Sequence, residues 1–137
     1  MAEIKSIERR LLSGSTNGRG IKITATDANN ANTIHTTSST AGEIDEVWLY
    51  CYNSGDAPIE LYLCLGGTTS PDDICRMTIP SRAGDVLVLA GEIFDGGIII
   101  KAYGGSANYL IIRGYVNRLV IEWEDYIKYQ ILIIMVD

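Results

Sequence analysis

A chain of 137 residues with a formal net charge of −6 is long enough to bury one hydrophobic core and too short for two, and its acidity argues against a body that wraps nucleic acid by counterion release. β-branched and aromatic residues are plentiful beside Gly, Thr, Ser and Asn, a composition that favours strands over long helices. The three cysteines, Cys51, Cys64 and Cys75, cannot all pair within one chain, and with no apolar leader and cleavage site at the N-terminus they predict free thiols in a reducing cytoplasm.

The charge is unevenly spread. Lys5, Arg9, Arg10, Arg19 and Lys22 outnumber Glu3 and Glu8, leaving residues 1–22 at +3 and the other 115 at −9. A basic end on an acidic body suits docking onto an acidic protein surface. Ile4, Ile7 and Leu11 fall at helical spacing with charges between them, which predicts a short amphipathic helix, marginal in isolation. The SGSTNGRG that follows has hinge composition. Residues 1–17 therefore read as an arm that orders on a partner, residues 18–117 as the folded domain and residues 118–137 as an extension.

Eight apolar runs separated by turn residues follow: GIKITAT (20–26), TIHTTSS (33–39), EIDEVWLYCYN (43–53), IELYLCLG (59–66), DICRMTIP (73–80), DVLVLA (85–90), GIIIKAYG (97–104) and NYLIIRGYV (108–116). Such spacing predicts an all-β fold, an antiparallel β-sandwich or jelly roll. Matching the aliphatic faces of neighbouring runs gives two hairpins, one pairing Cys51 with Leu61 and Leu49 with Leu63 across SGDAP, the other pairing Ala102 with Leu110 and Ile100 with Ile112 across GGSAN. Trp48, Tyr50 and Tyr52 then lie beside Glu60, Tyr62 and Cys64, Tyr103 faces Tyr109, and all six tyrosines between 50 and 115 point outward. An aromatic β surface of this kind meets a partner or a ligand.

In DVLVLA, Val86 and Val88 alternate against Leu87 and Leu89, which predicts a strand covered on both faces, the second cover being another subunit. After Asn117 the pattern changes, and the closing ILIIMV is apolar but far short of a membrane span. It reads as a buried strand or an interface, exchanged with or packed on a neighbour.

Little in the chain points to catalysis. LGGTTSPDD (65–73) lacks the Lys-Ser or Lys-Thr of a phosphate cradle and the acidic spacing of a calcium loop, so it reads as a strand connector. His35, the single histidine, has no nucleophile elbow to serve, and without a C-x-x-C pair no zinc set is visible. The acidic pairs Asp45/Glu46 and Glu124/Asp125 read as solvated strand faces. The expectation is a non-enzyme without cofactor or metal.

GRGIKITATDANNANTIHTTSST, DEVWLYCYNSGDAPIELYLCLGGTTSPDD, MTIPSRAGDVLVLAG and YLIIRGYVNR together resemble small auxiliary virion proteins of tailed bacteriophages, the head decoration or cement proteins and related head-fibre modules. The likeness covers roughly residues 11 to 118 and rests on strand order and turn phrases. It implies a homotrimeric β-sandwich on the capsid exterior, assembled in the host cytoplasm, that binds the major capsid protein and ties capsomers together, with no nucleic-acid or membrane partner. On this chain Ile4, Ile7, Arg9, Arg10 and Leu11 would touch the shell or an adjacent trimer. Trp48, Tyr50, Tyr62, Val86, Leu87, Val88 and Leu89 are candidates for subunit contact by position. The alternative is a receptor- or glycan-binding module of a head fibre or tail tip.

Overall fold

The computed structural model describes residues 4–121. The strands are β1 (Ile4–Leu11), β2 (Ile21–Lys22), β3 (Asn32–Thr36), β4 (Glu43–Asn53), β5 (Ile59–Leu65), β6 (Ile74–Ile79), β7 (Val86–Phe94), β8 (Ile99–Gly104) and β9 (Leu110–Ile121), with one 3-10 turn at Ala28–Asn30. One sheet runs β1-β9-β4-β7 with β2 beside β9, the other β3-β8-β5-β6, and every pairing is antiparallel. Setting the short β2 aside, the first described strand pairs with the last described one, the second with the second-last and so inward, which is the jelly-roll order.

Alternation explains why these residues form a double layer. In β4 the side chains of Asp45, Val47, Leu49, Cys51 and Asn53 are buried while those between them are partly exposed, and β5 buries Ile59, Leu61 and Leu63 on the same principle. Ile100 and Ala102 of β8 and Leu110, Ile112 and Val116 of β9 complete one core with Ile23, Ile34 and Ile79. Each fully buried Leu, Ile or Val contributes about 1.5–3 kcal/mol. The inward faces are those the alternation predicts.

The two predicted hairpins are not formed. β4 pairs with β7 and β9, and β5 with β6 and β8, so Leu49 and Leu63 belong to different sheets and not to neighbouring strands. β8 and β9 are likewise in different sheets. SGDAP and GGSAN are arches across the sandwich. Buried Asn53 shapes the first arch: its Nδ2 donates to the Ala57 and Ile79 carbonyls at 2.8 and 3.0 Å, and its Oδ1 accepts from Gly55 N–H at 2.9 Å. The second is held where Gly105 N–H reaches Glu60 O and Asn108 N–H reaches Ile23 O, at 2.9 and 2.8 Å. The anchors at Ile79, Glu60 and Ile23 lie far away in sequence, so parity between adjacent runs cannot distinguish an arch from a hairpin. LGGTTSPDD does connect sequential partners, β5 and β6, and is closed by Leu65 N–H to Asp73 O and Asp73 N–H to Thr69 O, both 2.8 Å.

Three further expectations are corrected. The N-terminal residues form a strand and not a helix, because β9 offers its outer edge and Ile7 to Leu11 pair in register with Leu119 to Tyr115. That ladder supplies backbone partners that a lone short helix lacks. β9 runs through Asn117 without a break to Ile121, so the change of pattern at residue 118 marks no boundary. Finally, β7 is not apolar-buried on both faces: register shifts opposite Val47/Trp48 and Leu49/Tyr50 re-aim its side chains, leaving Leu89 buried, Val86 and Val88 packed on the core, and Leu87 exposed. Bulges of this kind locally break the two-residue period. The predicted tail element beyond Ile121, including ILIIMV, lies outside the described residues.

Candidate interaction surface

The outer face of the β1-β9-β4-β7 sheet collects five of the six exposed large aliphatic side chains among the described residues, the sixth, Ile99, lying on β8 of the other sheet. Ile4, Ile7 and Leu11 of β1 and Leu87 and Ile93 of β7 are each 48–62% exposed. Register places Ile7 beside Leu119, Leu119 beside Ile44, and Trp48 between Tyr115 and Ala90. β1 is exposed along its whole length, so it stands as a flange hydrogen-bonded to β9 with both faces open.

A polar ladder fixes this face. Trp48 Nε1 donates to Glu46 Oε1 at 2.7 Å, Asn117 Nδ2 donates to the same oxygen at 3.1 Å, and Arg9 Nε donates to Asn117 Oδ1 at 3.3 Å. The Trp48 and Asn117 bonds hold the Glu46 carboxyl below the ordinary range. Arg9 lies 4.7 Å from the Tyr115 ring centre, within cation–π reach, and Tyr115 is offset from Trp48 with ring centres 6.3 Å apart. Three strands are thereby tied across their outward side, which presents the flange in one orientation.

Of the arm residues, Ile4, Ile7, Arg9 and Leu11 share this outer face, whereas Arg10 lies on the opposite face and pairs with Glu8 at 2.7 Å. Trp48 and Tyr50 belong to the same sheet. Tyr62 does not: it projects from the other sheet, where it stacks on Tyr103 at 4.4 Å with Arg76 above it. The pairing of Tyr103 with Tyr109, and the placing of Trp48, Tyr50 and Tyr52 beside Tyr62, are therefore corrected. Val86, Val88 and Leu89 serve the core, leaving Leu87 as the member of that group open to contact. Ile93 was missed because it lies beyond the DVLVLA run, although its alternation with Phe94 marks it.

Sequence reading also missed a buried polar cluster. Asp45 is fully buried and His35 nearly so, which overturns the solvated reading of Asp45. Arg118 Nε and an Nη donate to Asp45 Oδ1 and Oδ2 at 2.7 and 3.0 Å, His35 Nε2 lies 2.9 Å from Oδ2, and Ser38 N–H donates to Oδ2 at 3.1 Å. Burial pushes the Asp45 carboxyl up, but the bonds from Arg118 and His35, the Arg118 charge and the Ser38 N–H together bring it below its ordinary value. The same carboxylate raises Arg118. The signal was available: Asp45 shares the face of Val47, Leu49 and Cys51, and a carboxylate on an apolar face requires a partner. No group of residues able to hold a metal occurs among the described residues.

The cysteines are free, Cys51 and Cys64 buried and Cys75 exposed. Burial, aided by the Asp85 charge, pushes the Cys51 thiol up to about 12, and burial raises Cys64. A thiol-specific reagent on the native protein is expected to modify Cys75 alone, with Cys51 and Cys64 reacting after denaturation. No protein-family profile, curated protein or solved structure matches this chain.

Proposed function

We propose that this chain is a structural virion protein that binds the outside of a phage capsid as a homotrimer and stabilises contacts between capsomers. The observation that carries the proposal is the outer face of the β1-β9-β4-β7 sheet. Its flange presents Ile4, Ile7 and Leu11 beside exposed Leu87 and Ile93, on the side of the sheet away from the core. Aliphatic area clustered on one outer sheet face is a mark of a surface that others cover. The flange, with its arginines, meets the major capsid protein or a neighbouring trimer, and Trp48, Tyr50 and Leu87 lie on the same face for subunit contact.

Burial at about 25 cal/mol per Å² of apolar surface, repeated over a shell, gives a large collective gain even when each contact is weak. Threefold symmetry raises the effective concentration of the second and third contacts. Such attachments hold seams that packaged DNA strains. The aromatic pair Tyr62 and Tyr103 favours glycan binding less, because each ring already covers the other.

The test is decoration of purified tailed-phage heads stripped of their own outer proteins, scored by co-sedimentation. Wild-type protein is expected to bind, and Ile4→Asp/Ile7→Asp to lose binding by at least about tenfold while remaining folded. Equal binding by both would refute the flange assignment.

A further inference from the structure

The connection between the flange and the sandwich has an unusual fastening. Leu12 is buried in the core. The next residues run as a strap along β3: Gly14 N–H donates to Ile34 O at 2.9 Å, and Ser13 Oγ accepts from Thr36 N–H at 2.7 Å. A Cβ on Gly14 would overlap the Thr33 and Ile34 carbonyl oxygens, so the strap lies directly against the strand. Ser13 N–H donates to Nδ1 of His35 at 3.0 Å. That nitrogen must carry a lone pair, and a neutral imidazole has one donor and one acceptor. Its proton is therefore on Nε2, directed at Asp45 Oδ2 at 2.9 Å.

We infer that His35 is an acid-sensitive clasp: a proton taken up at Nδ1 turns the acceptor of Ser13 into a second donor and loosens the strap that roots the flange. The surrounding charges decide which bond fails. From β4, Asp45 touches the ring and Glu43 lies beside the cluster; from β9, Arg118 holds Asp45; from β1, Glu8 stands opposite Arg118. β8 places apolar Ile100 opposite His35. An imidazolium keeps its bond to the Asp45 carboxylate, so the ring stays seated and the Ser13 bond is the one lost. The bond requires a neutral ring, so the fastening is complete while Nδ1 keeps its lone pair and is lost when that nitrogen takes up a proton. The clasp does not depend on what the flange binds.

Amide hydrogen exchange on the full chain, corrected for intrinsic rates, tests this between about pH 7.5 and about pH 5, the interval in which histidine is the usual side chain to change charge. Protection at Ser13 is expected to fall by at least about tenfold while Leu49 and Leu61 keep theirs. His35→Asn, whose Oδ1 offers a non-titrating acceptor near the Nδ1 position, is expected to remove the pH dependence. Loss at Ser13 no greater than at Leu49 and Leu61 would overturn the clasp, and so would a pH response that persists in His35→Asn. If that variant fails to fold, the wild-type ring nitrogens decide. Nδ1 protonation over the same interval as the loss at Ser13 supports the inference, and Nδ1 protonation with Ser13 still protected refutes it.

Discussion

Asp45→Ala is expected to cost about 3–5 kcal/mol of unfolding free energy, measured by denaturant titration at neutral pH. Asp45 is the hub to which Arg118, His35 and the Ser38 N–H all converge. Removing it strips a largely buried guanidinium of its two-point partner, with Glu43 left 4.0 Å away, and leaves two further donors without an acceptor; breaking such a pair from one side costs more than the pair contributes. Replacing all three side chains together, as His35→Leu/Asp45→Leu/Arg118→Met, is expected to recover part of the loss, because the buried guanidinium leaves with its partner, while the Ser38 and Ser13 N–H groups still lose their acceptors. The sign with pH follows from the carboxyl's lowered value. Its contribution is present in full above the ordinary carboxylate range and is lost as pH falls through the folded-state value. Wild-type and Asp45→Ala stabilities should therefore converge in strong acid.

Gly114→Ala is expected to cost more than about 3 kcal/mol or to prevent folding, a larger penalty than ordinary overpacking. Gly114 sits in β9 opposite Leu49, where β4 and β9 cross the middle of the sheet. A Cβ there would overlap the Trp48 carbonyl oxygen and press on Leu49 Cα. Both obstacles are backbone atoms of a central strand, which a rotamer change cannot move. Gly105→Ala is the control, since its Cβ would meet Glu60 atoms at ordinary contact distances of 3.7 Å and beyond. It should change stability by less than about 1 kcal/mol.

Alternation made the sandwich legible. The period of two in EIDEVWLYCYN and IELYLCLG assigned every inward aliphatic residue of β4 and β5 correctly, because burial on one face is what a strand pattern records. It could not report which strand lies beside which. Hairpins and arches present the same parity, and the anchors that make SGDAP an arch, Asn53 to the Ile79 carbonyl and Ser81 to Gly55, span 26 residues. The flange was misread as a helix for a related reason. Ile4, Ile7 and Leu11 fit a helical stripe, yet they also share one face of β1, because the register shift between Ile4 and Ser6 brings Ile4 into line with Ile7. The buried cluster was hidden by separation, its hub at 45 and its partners at 35 and 118. Even so, the parity of Asp45 with Val47 announced that something must meet it.

The proposed function requires that other copies and the shell cover the outer face of the β1-β9-β4-β7 sheet. Sedimentation equilibrium of the full chain at micromolar concentration tests it most directly. A species of about 45 kDa is expected, three times the 15.0 kDa of one chain, that dissociates when Trp48 and Leu87 are both changed to Asp. A wild-type protein sedimenting as a single 15.0 kDa species would contradict it.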